Sequence, residues 1–177
     1  MSRAMLHKEA HKGGSLLRDF ILGGQDGLVN VLGVILGVAT AVQNVRIVII
    51  AGLAATFAES ISMAAVAYTS FKASRDFYKS HRIRLGNIEN PTKSAVVVGV
   101  SAIIGSLIPL LPFFFLPIND AMITSVIVST TALFITGSVK AKLTLGTWWK
   151  SGLEMSAIGM TAAIAGYLIG SLLGVYV

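Results

Sequence analysis

The chain contains no cysteine, which excludes disulfide bonds, thiolate metal sites and a cysteine nucleophile. Its three histidines, His7, His11 and His81, all lie outside the apolar runs of the sequence. A metal ion would therefore have to be held by these histidines or by carboxylate, amide, hydroxyl and thioether groups.

Charge is also scarce: only 12% of the 177 residues are charged, whereas 54% are hydrophobic. The mean hydropathy is +0.78. Soluble domains usually have about a quarter of their residues charged. This composition contains too few polar residues to cover the surface of a soluble domain. The sequence therefore predicts an integral membrane protein, folded as one transmembrane domain.

Five apolar segments are long enough to cross a bilayer, which takes about 20 helical residues. They cover approximately residues 20–42, 47–71, 94–116, 121–139 and 151–177. None shows the short alternating pattern of a membrane β-strand. The predicted fold is all-α, with five transmembrane helices and short connections.

Basic residues predict the orientation of these helices. Of the 14 Lys and Arg residues, all but Arg46 fall in the N-terminal tail, in the segment 72–93 or in the connection before the fifth span. With five crossings, these regions share one side of the membrane. The positive-inside rule then places the N-terminus in the cytoplasm and the C-terminus outside or in a lumen. A basic excess confined to membrane flanks does not indicate a nucleic-acid partner.

The segment 72–93 is the longest connection and is predicted to form a basic cytosolic loop facing lipid headgroups. We expect the second helix to continue into it until Gly86, and Pro91 to begin the third helix. Separately, glycines spaced by four residues occur in the first and last spans. They permit close helix contact, either within one subunit or between two.

Two acids, Asp26 and Glu59, lie well inside apolar spans. A charge at the bilayer centre costs about 2.5–3.5 kcal/mol on insertion scales, so such residues usually face the bundle interior or a water-filled path. No Lys, Arg or His occurs inside any span. The basic residues nearest Glu59 in sequence, Arg46 and Lys72, lie about 20 Å away along a helix. A neutral glutamic acid bonded to a carbonyl is one alternative, and a functional carboxylate is the favoured one.

Helical spacing groups further residues with these two acids. Met63 follows Glu59 by one turn, and Ser62 lies close by. Carboxylates combined with a thioether suit Fe²⁺, Mn²⁺ or Co²⁺ better than Mg²⁺ or Ca²⁺. The predicted metal ligands are Asp26, Glu59 and Met63. Asn30, Ser62, Gly33 and Gly37 are predicted to line the pathway.

Four stretches of the chain resemble the vacuolar iron transporter family over nearly the whole length. They are LGGQDGLVNVLGVILGV, AGLAATFAESISMAAVAYTSFKAS, ALFITGSVKAKLT and GTWWKSGL. The resemblance implies five spanning helices, a homodimer and export of Fe²⁺, often also Mn²⁺, from the cytosol against inward proton movement. It also implies an ion path lined by the first helices of both subunits. No permanent cofactor is expected.

By position, Asp26 and Met63 match the aspartate and methionine of the family, but the intramembrane acid does not. Plant members place that acid at the position of Ala55 and many bacterial members at that of Ala67, whereas this chain has Glu59. The family's larger members also insert a glutamate-rich, cytosolic metal-binding domain after the second helix. This chain has only the short basic segment 72–93 there.

The sequence thus predicts a dimeric, proton-coupled exporter of divalent transition metal in a prokaryotic plasma membrane. The alternative is a membrane assembly or metal-sensing protein that keeps the scaffold without transporting. An enzyme is not expected, because the spans contain no nucleophile–base pair, phosphate-binding loop or histidine cluster.

Overall fold

A computed structural model describes the backbone of residues 3–81, 90–144 and 146–174, with side chains described from residue 14 onward. This part of the chain is helical and contains no strand. The elements are α1 (Arg3–Val42), α2 (Val45–Ser80), α3 (Pro91–Leu110), a 3₁₀ helix (Leu111–Phe114), α4 (Ile118–Leu143) and α5 (Trp148–Leu173). Each of α1 to α5 contains a stretch long and apolar enough to cross a membrane. The predicted class, an all-α membrane protein with five spanning helices, is confirmed.

The helix ends differ from the predicted spans where capping and proline act. α2 has 36 residues, about 54 Å at 1.5 Å per residue, against a hydrocarbon core of about 30 Å. Its basic end therefore projects beyond the bilayer, as expected, while the predicted break at Gly86 lies outside the described residues. Pro91 is the first residue of α3, capped by Asn90, whose side chain accepts from Thr92 N at 3.1 Å.

The third span does not stay α-helical to its predicted end at residue 116. α3 ends at Leu110, one residue after Pro109, and the chain continues as a 3₁₀ helix with Pro112 in its first turn. A proline removes a backbone donor and its ring clashes with the preceding turn, which explains the early end of the α-helix.

A tight connection makes α1 and α2 an antiparallel helix pair. Only two residues separate the helices: Gln43, which has a positive φ of 52°, and Asn44. Asn44 caps α2 by accepting from Arg46 N at 3.0 Å and Ile47 N at 3.4 Å. This turn fixes which residues of α1 and α2 lie at the same height in the bundle.

α1 is the central helix and packs against α3 and α5. Val31, Leu32 and Ile35 of α1 are completely buried. The glycines spaced by four residues make this packing close: a Cβ on Gly166 or Gly170 of α5 would overlap the backbone of Gly33 or Gly37, respectively. Of the two alternatives for these glycines, the structure shows contact within one subunit.

The outer faces of the bundle are apolar. Ile61 on α2, Phe115 after the 3₁₀ helix and Leu172 on α5 are each more than 60% exposed. Large exposed apolar side chains on spanning helices face the lipid, so the bilayer is the solvent of this surface.

Candidate metal pathway between α1 and α2

A side-chain hydrogen bond joins α1 to α2 in the middle of the bundle. Asn30 Nδ2 donates to Glu59 Oε1 at 2.6 Å. Asn30 is exposed at the surface of this single chain, and Glu59 is partly buried. Among the described side chains, Glu59 has no cationic partner. The ion pair found among the described side chains joins Arg18 to Asp19 and does not involve Glu59.

The second intramembrane acid lies beside the first. The Asp26 side chain of α1 lies near enough to the Glu59 carboxyl for the two acids to interact electrostatically. Asp26 precedes Asn30 by four residues, so both project from the same face of α1. The structure thus brings together Asp26, Asn30 and Glu59, which belong to two stripes that are far apart in sequence.

The antiparallel register places Met63 at the height of Asp26. Four residues back along α1 from Asn30 is Asp26, and four residues forward along α2 from Glu59 is Met63. The same correspondence holds twelve residues from the hydrogen bond, where the Arg18 guanidinium lies 4.8 Å from the centre of the Phe71 ring. The face therefore has two levels, one with Asp26 and Met63 and one with Asn30 and Glu59, about 6 Å apart.

The other predicted pathway residues have different surroundings. Ser62 is exposed on α2, next to Met63. Gly33 and Gly37 lie against α5, where an added Cβ would be 3.3 Å from Ala162 O and 3.1 Å from Gly166 O, respectively. The described contacts of these two glycines are thus helix-packing contacts, and their place in a pathway stays a prediction.

The side chains of one chain supply only some of the ligands that a metal ion needs. Within the described residues, no three Asp, Glu or His side chains cluster as a metal site would require. One chain offers two carboxylates, the Asn30 amide and the Met63 thioether, on a face that remains open beside Asn30 and Ser62. Such a mixed set of oxygen and sulfur suits first-row divalent transition metals.

A third acid, Asp19, was not singled out from the sequence. Its side chain is 1% exposed; one oxygen accepts from Arg18 Nη2 at 2.8 Å, and Oδ2 has no partner among the described groups. Asp19 lies just before the first predicted span, beside the basic tail. Its spacing of seven residues from Asp26, which places both acids on one helix face, is the signal that could have identified it.

A family model described as the VIT family matches residues 17–87 and 81–171. The chain belongs to the VIT family. Vacuolar iron transporter 1 of Eucalyptus grandis is 26% identical, in an alignment covering 91% of this chain and 88% of that protein. Vacuolar iron transporter homolog 3 of Arabidopsis thaliana is 31% identical, covering 89% and 83%. An uncharacterized protein of Methanocaldococcus jannaschii is 28% identical, covering 89% and 90%.

The family membership confirms the resemblance seen in the sequence, and the chain is an integral, multi-pass membrane protein. The two matched pieces of the VIT family model overlap at residues 81–87. This overlap falls inside the basic segment 72–93, where the resemblance leads us to expect a shorter connection than in the larger members.

Proposed function

We propose that this VIT-family protein exports divalent transition metal, Fe²⁺ and also Mn²⁺, from the cytosol in exchange for protons. The observation that carries the proposal is the convergence of Asp26, Asn30 and Glu59 on one face between α1 and α2. Two carboxylates at membrane depth, without a cation among the described side chains, need either protons or a bound metal ion to offset their charge.

The two levels of this face offer two successive binding positions for the transported ion. The level of Asp26 and Met63 combines a hard oxygen with a soft sulfur, and the level of Asn30 and Glu59 offers oxygen. Because the levels are about 6 Å apart, an ion can pass from one carboxylate to the other in a single step. Fe²⁺ and Mn²⁺ accept both ligand types, whereas Mg²⁺ and Ca²⁺ prefer oxygen alone.

The proximity of Asp26 and Glu59 supports proton exchange. Two neighbouring carboxylates at membrane depth repel each other, so a proton or a metal ion has to offset their charge. A divalent metal ion binds deprotonated ligands and therefore displaces that proton. Alternation between a metal-bound and a protonated pair is the exchange that a metal–proton antiporter requires.

The open face supports the proposal of a homodimer. Asn30 and Ser62 are exposed on the surface of the single chain, although they lie within spanning helices. Polar groups facing hydrocarbon are costly, and a second copy seated on this face would cover them. It would also double the donor set to a number that a six-coordinate metal ion can use. We place the N-terminus in the cytoplasm and the protein in a prokaryotic plasma membrane, so the metal ion would move from the cytosol to the outside of the cell.

Flux into liposomes under a pH gradient tests this function. We expect the parent protein to accumulate Fe²⁺ and Mn²⁺, and Glu59→Ala to lose roughly tenfold or more of that flux, because it lacks a charged ligand. Glu154→Gln is the matched control, since Glu154 is an exposed acid in the first two turns of α5.

The outcomes separate the alternatives. Transport by Glu59→Ala equal to that of the parent contradicts the assigned site. Metal binding by the purified parent without any flux favours a membrane assembly or sensor protein on the same scaffold.

A further inference from the structure

The hydrogen bond between Asn30 and Glu59 occupies one of the two carboxylate oxygens. Asn30 Nδ2 is the donor, and Glu59 Oε1 accepts at 2.6 Å. This bond uses one lone pair of Oε1, so a cation that binds both oxygens of Glu59 has to compete with Asn30 for Oε1.

Asn30 is held in place by the packing of its helix. The next two residues, Val31 and Leu32, are completely buried. Gly33 lies against the backbone of α5 and Gly27 against that of α3. α1 therefore cannot rotate to follow Glu59, so Asn30 is the fixed member of the pair and Glu59 the member that it orients.

The number of free carboxylate oxygens matters to some cations more than to others. Ca²⁺ takes six to eight oxygen ligands and commonly gains two of them from one bidentate carboxylate. First-row transition metal ions need fewer ligands and accept nitrogen and sulfur as well. A hydrogen bond to one oxygen of a glutamate therefore lowers the affinity of the site for Ca²⁺ more than its affinity for Mn²⁺ or Fe²⁺.

We propose that Asn30 is a specificity-determining residue: by bonding to Oε1 of Glu59, it disfavours binding of the cargo through both oxygens of this carboxylate and so discriminates against Ca²⁺. The inference rests on the proposed function, since it concerns the same site. It differs from the contribution of Met63, whose thioether disfavours Ca²⁺ by its softness and is left unchanged by substitutions at Asn30.

Competition between Ca²⁺ and Mn²⁺ for the purified protein in detergent tests the proposal without requiring transport. Free Mn²⁺ is measured by its electron paramagnetic resonance signal, and Ca²⁺ is then added. Asn30→Leu keeps approximately the shape of the side chain and removes the donor; Asn30→Ala is a second variant that also removes it. In both, we expect the Ca²⁺ concentration that releases half of the bound Mn²⁺ to fall about tenfold relative to the parent.

A double substitution shows whether Asn30 acts through Glu59. Glu59→Gln offers a single carbonyl oxygen, so adding Asn30→Leu to it should change the ratio of Ca²⁺ to Mn²⁺ affinity by less than about twofold. Thr40→Val is the matched control. Thr40 is a polar residue of the same helix whose hydroxyl donates to its own backbone, at Leu36 O, at 2.7 Å. The Thr40→Val variant should have the same ratio of Ca²⁺ to Mn²⁺ affinity as the parent.

The possible results distinguish this inference from the function on which it rests. An unchanged ratio in Asn30→Leu and Asn30→Ala, with Mn²⁺ still bound, overturns the role of Asn30 alone. An equal change in the Glu59→Gln background also overturns it, because Asn30 would then act independently of Glu59. A parent protein that binds no Mn²⁺ overturns the proposed site itself.

Discussion

Substituting Gly166 with alanine tests how α1 is held in the bundle. A Cβ at this position would lie 2.8 Å from the carbonyl carbon of Gly33 and 3.0 Å from its Cα, and closer still to its carbonyl oxygen. Ordinary contacts of a Cβ are at 3.4 to 4 Å. The opposing atoms belong to the backbone and not to a flexible side chain, so α5 must move away from α1.

The size of the effect follows from two opposing contributions. Overpacking a tight contact costs about 1–3 kcal/mol, and a rigid backbone places this contact at the upper end of that range. Alanine regains about 1 kcal/mol over glycine inside a helix. The net loss is about 2 kcal/mol, which lowers the melting temperature of a chain of this size by roughly 4–8 °C.

Thermal unfolding in detergent, followed by the fluorescence of the two tryptophans, measures this loss. Both tryptophans, Trp148 and Trp149, lie at the start of α5 and report on the helix that is displaced. Gly14→Ala is the matched control: Gly14 also lies in a helix, but a Cβ there would meet nothing within 4 Å. It should melt at the parent's temperature or above. A Gly166→Ala protein as stable as the parent would refute the close contact between α1 and α5.

Two further predictions concern the arrangement of the protein in its membrane. Because the chain has no cysteine, single substitutions give clean labelling sites: an impermeant maleimide added to intact cells should label Asn119→Cys but leave Asp76→Cys unlabelled until the cells are lysed. The opposite pattern would mean that the N-terminus is not cytoplasmic. Native mass spectrometry should release a species of twice the 18.6 kDa chain mass, whereas a monomer at every detergent concentration would argue against the dimer.

The number and approximate position of the helices could be predicted because hydropathy and basic flanks report where the bilayer ends. Helix ends depend on other forces, and these explain the differences. α2 continues to Ser80 because nothing in its polar extension ends a helix. The α-helical part of the third span is shorter than its apolar run because Pro109 and Pro112 end it in a 3₁₀ helix.

Burial and the partners of the glycines could not be read from the sequence. The spacing of Gly33 and Gly37 indicates a close helix contact, but any helix could supply the other surface. The burial of the charged residue Asp19 could not be predicted from the sequence either. Its position beside Arg18 looks like a hydrated flank, and only the packing of the surrounding helices makes it 1% exposed.

The heights of residues on neighbouring helices explain why Glu59 has its partner at Asn30. Periodicity predicted which residues share a face of α1 or α2, but the match between the faces depends on the two-residue turn that joins the helices. With that register, an acid one turn earlier, at Ala55, would lie at the height of Val34. An acid one turn later, at Ala67, would lie at that of Leu22. Both positions on α1 are apolar, so of these three heights only that of Glu59 has an amide opposite it on α1. Glu59 and Asn30 are therefore best understood as a complementary pair.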